Sequence, residues 1–164
     1  MAPALHAKQL ALDTNILLDL ADEVDVAHDF RETFQRAGYI LRIPPTVVSE
    51  LLFESDQGED AQLALKALQS MRSWSISPYD LVSVGHGITD RFSDKLLRKG
   101  MLPDGEYNDG LILAEASLGR IPILVTSDKH LLNIDDTLLK LAFDECDLFH
   151  VHPSHPKLLT RAMR

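Results

Sequence analysis

Four acidic residues stand where carboxylates can do chemistry. Asp13 follows the apolar run Leu10-Ala11-Leu12 and precedes a second run, Ile16-Leu17-Leu18. The first run reads as a short buried strand and the second as the start of a helix. Asp13 thus falls at a strand end, the edge of an open α/β sheet where ligands bind. Asp128 follows Pro122-Ile123-Leu124-Val125-Thr126 in the same way. Glu50 lies on the flank of a helical stripe made by Val47, Val48, Leu51 and Leu52. Glu54 shares that flank, and helical geometry alone does not choose between them. Asp109 occupies the first turn of a helix over 108–118. Each acid alone also has a plain structural role. Asp is a good N-cap, and an acid in a first turn interacts well with the helix dipole.

Together the four have a different meaning. Asp13 and Asp128 end strands that can be neighbours, and Glu50 and Asp109 ride on helices that can lean over the same edge. Carboxylates crowded in this way repel and raise one another's pKa. Magnesium or manganese removes the conflict, because hard cations take oxygen ligands. Two such ions about 4 Å apart can activate a water and stabilise the leaving oxygen of a phosphodiester.

The elements needed to position these acids are legible along the chain. A helix runs from about Val24 to Ala37 on the spacing of Val26, Phe30, Phe34 and Ala37, with Gly38 as its stop. Tyr39 to Ile43 is a second strand, closed by Pro44-Pro45, and Pro suits the first turn of the helix that follows. Ser55 to Glu59 reads as a loop. Helices over Ala61–Met71 and Leu81–Lys99 bracket a short strand at Trp74–Ser77. Gly100 to Gly105 is a loop, and Gly119 stops the helix that carries Asp109. Lys129-His130-Leu131-Leu132 starts a short helix or turn, and Leu148 to Val151 is a last strand. Strands alternating with helices predict a three-layer α/β/α sandwich with a central parallel sheet of four or five strands.

Composition agrees. The 164 residues suit one domain, spanning 1–164, with a full core, and 45% are apolar. A single cysteine, Cys146, allows no intrachain disulfide and fits a reducing cytoplasm. No run approaches transmembrane length, and Asp13 and Asp19 interrupt any signal-like stretch. The formal net charge of −9 argues against broad, unspecific nucleic-acid binding. It leaves room for a nucleic-acid enzyme whose carboxylates hold cations.

Four stretches, in order, resemble a known family. Leu12-Asp13-Thr14-Asn15-Ile16-Leu17 looks like the opening motif of PIN-domain ribonucleases. Pro45-Thr46-Val47-Val48-Ser49-Glu50-Leu51 resembles the second, Asn108-Asp109-Gly110-Leu111-Ile112-Leu113-Ala114-Glu115-Ala116 the third, and Leu124 to Leu132 the fourth. The resemblance spans about Leu10 to Val151 and implies a PIN-like fold. It implies a metal-dependent endoribonuclease with Asp13, Glu50, Asp109 and Asp128 holding one or two Mg2+ or Mn2+ ions. Thr14, Asn15, Thr126 and Ser127 would support them by hydrogen bonds. The family includes VapC-type toxins, so an antitoxin or a homodimer is an expected partner beside the RNA substrate. Leu17, Leu18, Phe53 and Met101 are apolar residues expected at the surface for such a contact.

Arg91, Lys95 and Arg98, with Lys99 beside them, form one basic helix face. They are either RNA-backbone contacts or a solvated face near a helix C-terminus. His150, His152 and His155 cluster without the cysteines or acids of a closed zinc site. Two other functions compete with the nuclease. In one, Asp13 is the nucleophile of an aspartyl-phosphate hydrolase or receiver, although Asn15 stands where a phosphatase would need an acid. In the other, the chain is a non-catalytic RNA- or protein-binding module.

Overall fold

The computed structural model describes residues 8–164. Five strands, β1 (Gln9–Leu12), β2 (Ile40–Ile43), β3 (Ile76–Pro78), β4 (Ile123–Val125) and β5 (His152–Ser154), form an all-parallel sheet in the order β3-β2-β1-β4-β5. Leu10, Ala11 and Leu12 in the central strand are all buried, as expected where helices cover both faces of a parallel sheet. The flanking helices are α1 (Thr14–Ala21), α2 (Asp25–Arg36), α3 (Pro45–Gln57), α4 (Ala61–Ser70), α5 (Ser83–Arg98), α6 (Tyr107–Leu118), α7 (Lys129–Leu132), α8 (Asp136–Glu145) and α9 (Pro156–Ala162). This is the predicted α/β/α sandwich. Among the described residues no helix is long and apolar enough to cross a membrane.

Several local expectations are corrected. Helix α3 continues through the expected loop to Gln57, and Gly58 ends it. Leu52 is 55% exposed, so the stripe of α3 is narrower than its sequence suggests. Leu17 is fully buried in the core, whereas Phe53 is indeed exposed. The last strand is His152–Ser154, not Leu148–Val151. Asp147 adopts a left-handed conformation (φ 54°), and Leu148 N–H closes the end of α8 on the Phe143 carbonyl at 2.9 Å. Residues 148–151 are therefore the exit from a helix. Strand β5 tolerates Pro153 because it lies at the sheet edge, where one row of N–H groups has no strand to meet. Helix α8 was not anticipated. Asp135 caps it, accepting from Leu138 N–H at 3.0 Å, and Phe143 stacks on Phe92 of α5 with ring centroids 4.6 Å apart.

Helices α5 and α6 pack along each other, and Gly110 sets how closely. A Cβ at Gly110 would lie 2.8 Å from both Cα and Cβ of Ser93. Ser93 is itself fixed, its hydroxyl donating to the Tyr107 carbonyl. Gly110→Ala should therefore destabilise the fold by about 1–2 kcal/mol. Overpacking costs about 1–3 kcal/mol, and the helix preference for Ala recovers up to about 1 kcal/mol. Urea denaturation would check this. An alanine variant as stable as the parent would mean that α5 and α6 can part freely.

Candidate functional site

Asp13 and Asp128 stand at the C-terminal ends of β1 and β4, which pair in parallel. The pairing extends one step past the strand, since Asp13 N–H donates to the Val125 carbonyl at 2.9 Å. Both acids therefore lie at one edge of the sheet. Asp13 is 3% exposed. Its Oδ1 accepts from Thr14 N–H at 2.8 Å, and its Oδ2 accepts from the Thr126 hydroxyl at 2.8 Å and Asn15 Nδ2 at 3.1 Å.

Thr126 and Asn15 lock this corner. The Thr126 oxygen, after donating to Asp13, accepts from Asp128 N–H at 3.0 Å and from Asn15 Nδ2 at 3.2 Å. Asn15 Oδ1 accepts from the N–H and the hydroxyl of Ser127 at 3.0 and 3.1 Å. Two side chains, Thr126 and Asn15, and the Thr14 N–H thus fix one carboxylate, with Ser127 holding Asn15 in turn. The cap reading of Asp128 also holds in part. Its Oδ1 accepts from His130 N–H at 2.8 Å and caps the single turn of α7.

Glu50 and Glu54 separate clearly. Glu50 Oε1 accepts from the Thr14 hydroxyl, and Oε2 accepts from Asn108 Nδ2 at 3.2 Å. Glu54 turns to the end of its own helix, accepting from Asp60 N–H at 2.9 Å. Glu50 is therefore the acid of the two that is tied to Thr14 of α1 and to Asn108 of α6.

Asp109 is buried in the first turn of α6 at 7% exposure, yet its Oδ2 has no hydrogen-bond partner. One carboxylate oxygen from each of Glu106, Asp109 and Asp128 lies within 4.8 Å of the other two. Glu106 was not anticipated. It is the N-cap residue of α6, three positions before Asp109, and so shares its side of the first turn. The acid at i−3 was the available signal, hidden by reading 100–105 as loop and starting the helix at Asn108. Asn108 was likewise missed as the donor to Glu50.

These acids line an open cavity of about 710 Å3, together with Thr14, Asn15, Leu18, Ser49, Phe53 and Asn108. Six acidic residues line it, Glu54 among them, and no basic residue does. Arg91, Lys95, Arg98 and Lys99 are not among its lining residues. Lys95 and Lys99 instead pair with Glu145 of α8, at 3.4 and 2.8 Å.

The electrostatics follow from the crowding. Burial pushes the Asp13 carboxyl up to about 6, against the lowering effect of hydrogen bonds from Thr126 and Thr14. The charges of Glu50 and Asp128 add to the rise. Asp109 is pushed up to about 9, first by burial, then by the charges of Asp13 and Asp128, the hydrogen-bonding contact with Asp128 and the charge of Glu106. An oxygen-only donor set that includes a buried carboxylate with an unpartnered oxygen suits a hard divalent cation. It does not suit zinc, which favours nitrogen and sulfur ligands in closed sites.

The fold has known counterparts. The DNA-bound VapBC2 structure from Rickettsia felis has a TM-score of 0.61 at 17% identity, over 90% of this chain and 98% of that one. The DNA-bound VapBC structure from Salmonella typhimurium gives 0.60 at 18% identity, with the same coverage. At such identities the likeness is one of fold. No curated protein matches the sequence. The PIN domain family model matches residues 10–137, a span that contains all four motif acids and Glu106. The chain belongs to the PIN domain family of nucleases.

Proposed function

We propose that this chain is a cytoplasmic, Mg2+- or Mn2+-dependent endoribonuclease, the toxin partner of a toxin–antitoxin pair. The observation that carries the cation dependence is the cluster of Glu106, Asp109 and Asp128, in which Asp109 keeps a buried oxygen, Oδ2, without a hydrogen-bond partner. Asp13, Glu50, Asp109 and Asp128, with Glu106, are the residues that would hold the ions. A bound divalent cation supplies charge neutralisation for an approaching phosphodiester and acidifies water.

The protein's own groups do the rest. Thr126 and Asn15 keep Asp13 in a single orientation, so the carboxylate needs no rearrangement when substrate arrives. Thr14 and Asn108 hold Glu50 between α1 and α6. With no basic side chain on the cavity wall, the RNA backbone cannot be gripped there by the chain alone. The exposed Leu52 and Phe53, beside Leu18 at the rim, offer apolar surface for an inhibitory protein to cover the mouth. The VapBC relatives of this fold are described as complexes, which supports a partner of that kind.

The test is a cleavage assay on mixed single-stranded RNAs, with DNA of matched sequence as the comparison. Manganese, magnesium or chelator would be added to the parent and to Asp13→Asn. The expected result is RNA cleavage only with metal, lost by at least a hundredfold in the variant while RNA binding persists. Cleavage that survives chelator, or is equal in both proteins, would overturn the assignment. A parent that binds RNA without cutting it would favour the binding module instead.

A further inference from the structure

Glu115 is a buried carboxylate that the acid cluster does not use. It lies on α6, 2% exposed, six residues beyond Asp109. Its Oε1 accepts from Thr46 N–H at 2.9 Å, and its Oε2 accepts from the Thr46 hydroxyl at 2.6 Å. Thr46 is the second residue of α3, one helical turn before Glu50.

The need for such an acceptor arises in the sequence. The first N–H groups of a helix have no partner inside it. Pro44, at the N-cap of α3, has no side chain able to cap, and Pro45 at the first position has no N–H. Val47 and Val48 N–H reach the Pro44 carbonyl at 3.1 and 3.3 Å. That leaves Thr46 N–H, which is buried, as the donor to be satisfied from elsewhere. Glu115 does so from another helix. A carboxylate at a helix N-terminus is also well placed in the field of the helix. Its own pKa is raised by burial and lowered by the two Thr46 hydrogen bonds. Tyr79 fixes the same turn of α6 by donating its hydroxyl to the Glu115 carbonyl at 2.9 Å.

The two hydrogen bonds therefore clamp the start of α3 to the middle of α6. These are the helices that deliver Glu50 and Asp109. At the other end of the same contact Asn108 of α6 donates to Glu50 of α3. A pair of helices tied at both ends has a fixed separation between the side chains it presents. Among the hydrogen bonds of the described residues, a lost clamp at Thr46 would leave the solvent-exposed Asn108 bond to join these two helices.

We propose that Glu115 is a positioning residue of the acid site, setting the spacing of Glu50 and Asp109 through its double hydrogen bond to Thr46. This rests on the cation-binding reading of that site. Its role is geometric, so the charge itself is dispensable. A glutamine can accept from Thr46 N–H through its carbonyl and donate to the Thr46 hydroxyl through its amide. A leucine can do neither.

Three proteins decide it: the parent, Glu115→Gln and Glu115→Leu. Mn2+ affinity is measured by electron paramagnetic resonance, and amide hydrogen exchange is followed in the metal-free proteins. Glu115→Leu should weaken Mn2+ binding ten- to hundredfold, the range seen when an outer partner of a metal ligand is lost. Glu115→Gln should stay within threefold of the parent. In Glu115→Leu the amides of Thr46 to Glu50 should exchange at least tenfold faster, with those of α8 unchanged. If Glu115→Leu does not fold, Thr46→Val, which loses only the hydroxyl bond, takes its place and should be rescued by Thr46→Ser. Parent-like Mn2+ affinity in the leucine variant would overturn the proposal. So would a glutamine variant as impaired as the leucine one. A parent that binds no Mn2+ would sink the cation reading, and the exchange data would still decide whether Glu115 holds α3.

Discussion

Asp109→Asn is expected to lose RNA cleavage by more than a hundredfold and to lose stabilisation by metal, while the metal-free fold at pH 7 becomes more stable than the parent. With its carboxyl pushed up to about 9, Asp109 of the metal-free protein carries a proton at neutral pH. Asparagine is close to that neutral form in shape and charge but takes up no proton on folding, so the metal-free variant should be the more stable of the two at neutral pH. The parent gains RT ln(1 + [L]/Kd), about 1.4 kcal/mol at ten times Kd, or about 3–6 °C in melting midpoint for a domain of this size. The variant has surrendered one of three clustered carboxylates and should show a much smaller rise. If Asp109 served only the helix dipole, neutralising it would destabilise the metal-free fold by about 0.3–1 kcal/mol. Metal would then act equally on both proteins. Thermal melts with manganese and with chelator separate these outcomes.

The metal-free protein should also lose stability steadily as pH rises from about 4 to 9. Asp13 and Asp109 both hold protons in the folded state that the unfolded chain has released near its ordinary carboxylate pKa of 3.8. Stability from such a group is complete below the unfolded value and is lost as pH climbs through the folded value. Asp13 contributes to the slope up to about 6 and Asp109 up to about 9. Between pH 6.5 and 8.5 the Asp109 contribution is at most about 1.4 kcal/mol per pH unit, the equivalent of one proton. Metal ions compete with these protons, so the rise in midpoint from manganese should grow across the same window. Asp109→Asn should flatten both trends. Urea unfolding at fixed pH steps, parent against variant, isolates this group from the histidines. A parent whose metal-free stability is constant or climbs over that window would show that Asp109 is ionised in the apo site.

The sequence was most informative where one residue had to satisfy two levels at once. Asp13 and Asp128 were legible because an apolar run must end in a polar residue at a sheet edge, and both runs did so. Glu50 was not separable from Glu54 by periodicity, since both lie on one flank. Their choice is made by Thr14 and Asn108 for one and by Asp60 N–H for the other, contacts between distant segments. Glu106 escaped because an acid before a helix looks like any cap, and its value lies in facing Asp128 across the site. The final strand was misplaced for a related reason. Leu148-Phe149-His150-Val151 has the apolar character of a strand, but it is consumed in leaving α8, with Phe149 exposed against the Arg120 guanidinium. His152-Pro153-Ser154 looks like loop and pairs with β4 only because an edge tolerates proline.

The central place of β1 has a consequence for the order in which the molecule comes together. β1 is the first strand of the described residues and has to wait for β4, since Thr126 and Asp13, joined by a hydrogen bond, are 113 residues apart. Its other neighbour, β2, begins at Ile40 and is available early. A chain emerging N-terminus first can therefore pair β1 with β2 and fold α1 to α4 locally, while the corner built from Asn15, Thr126 and Ser127 does not yet exist. Contacts of such long sequence separation close late, because the loop entropy is spent before the contact returns anything. At synthesis rates of about 5–20 residues per second, the stretch between Glu50 and Asp128 takes several seconds to translate. During that time the nascent protein displays Asp13 and Glu50 without Asp109 and Asp128 beside them. Any partner that recognises the finished sheet edge has nothing to hold until translation is nearly over.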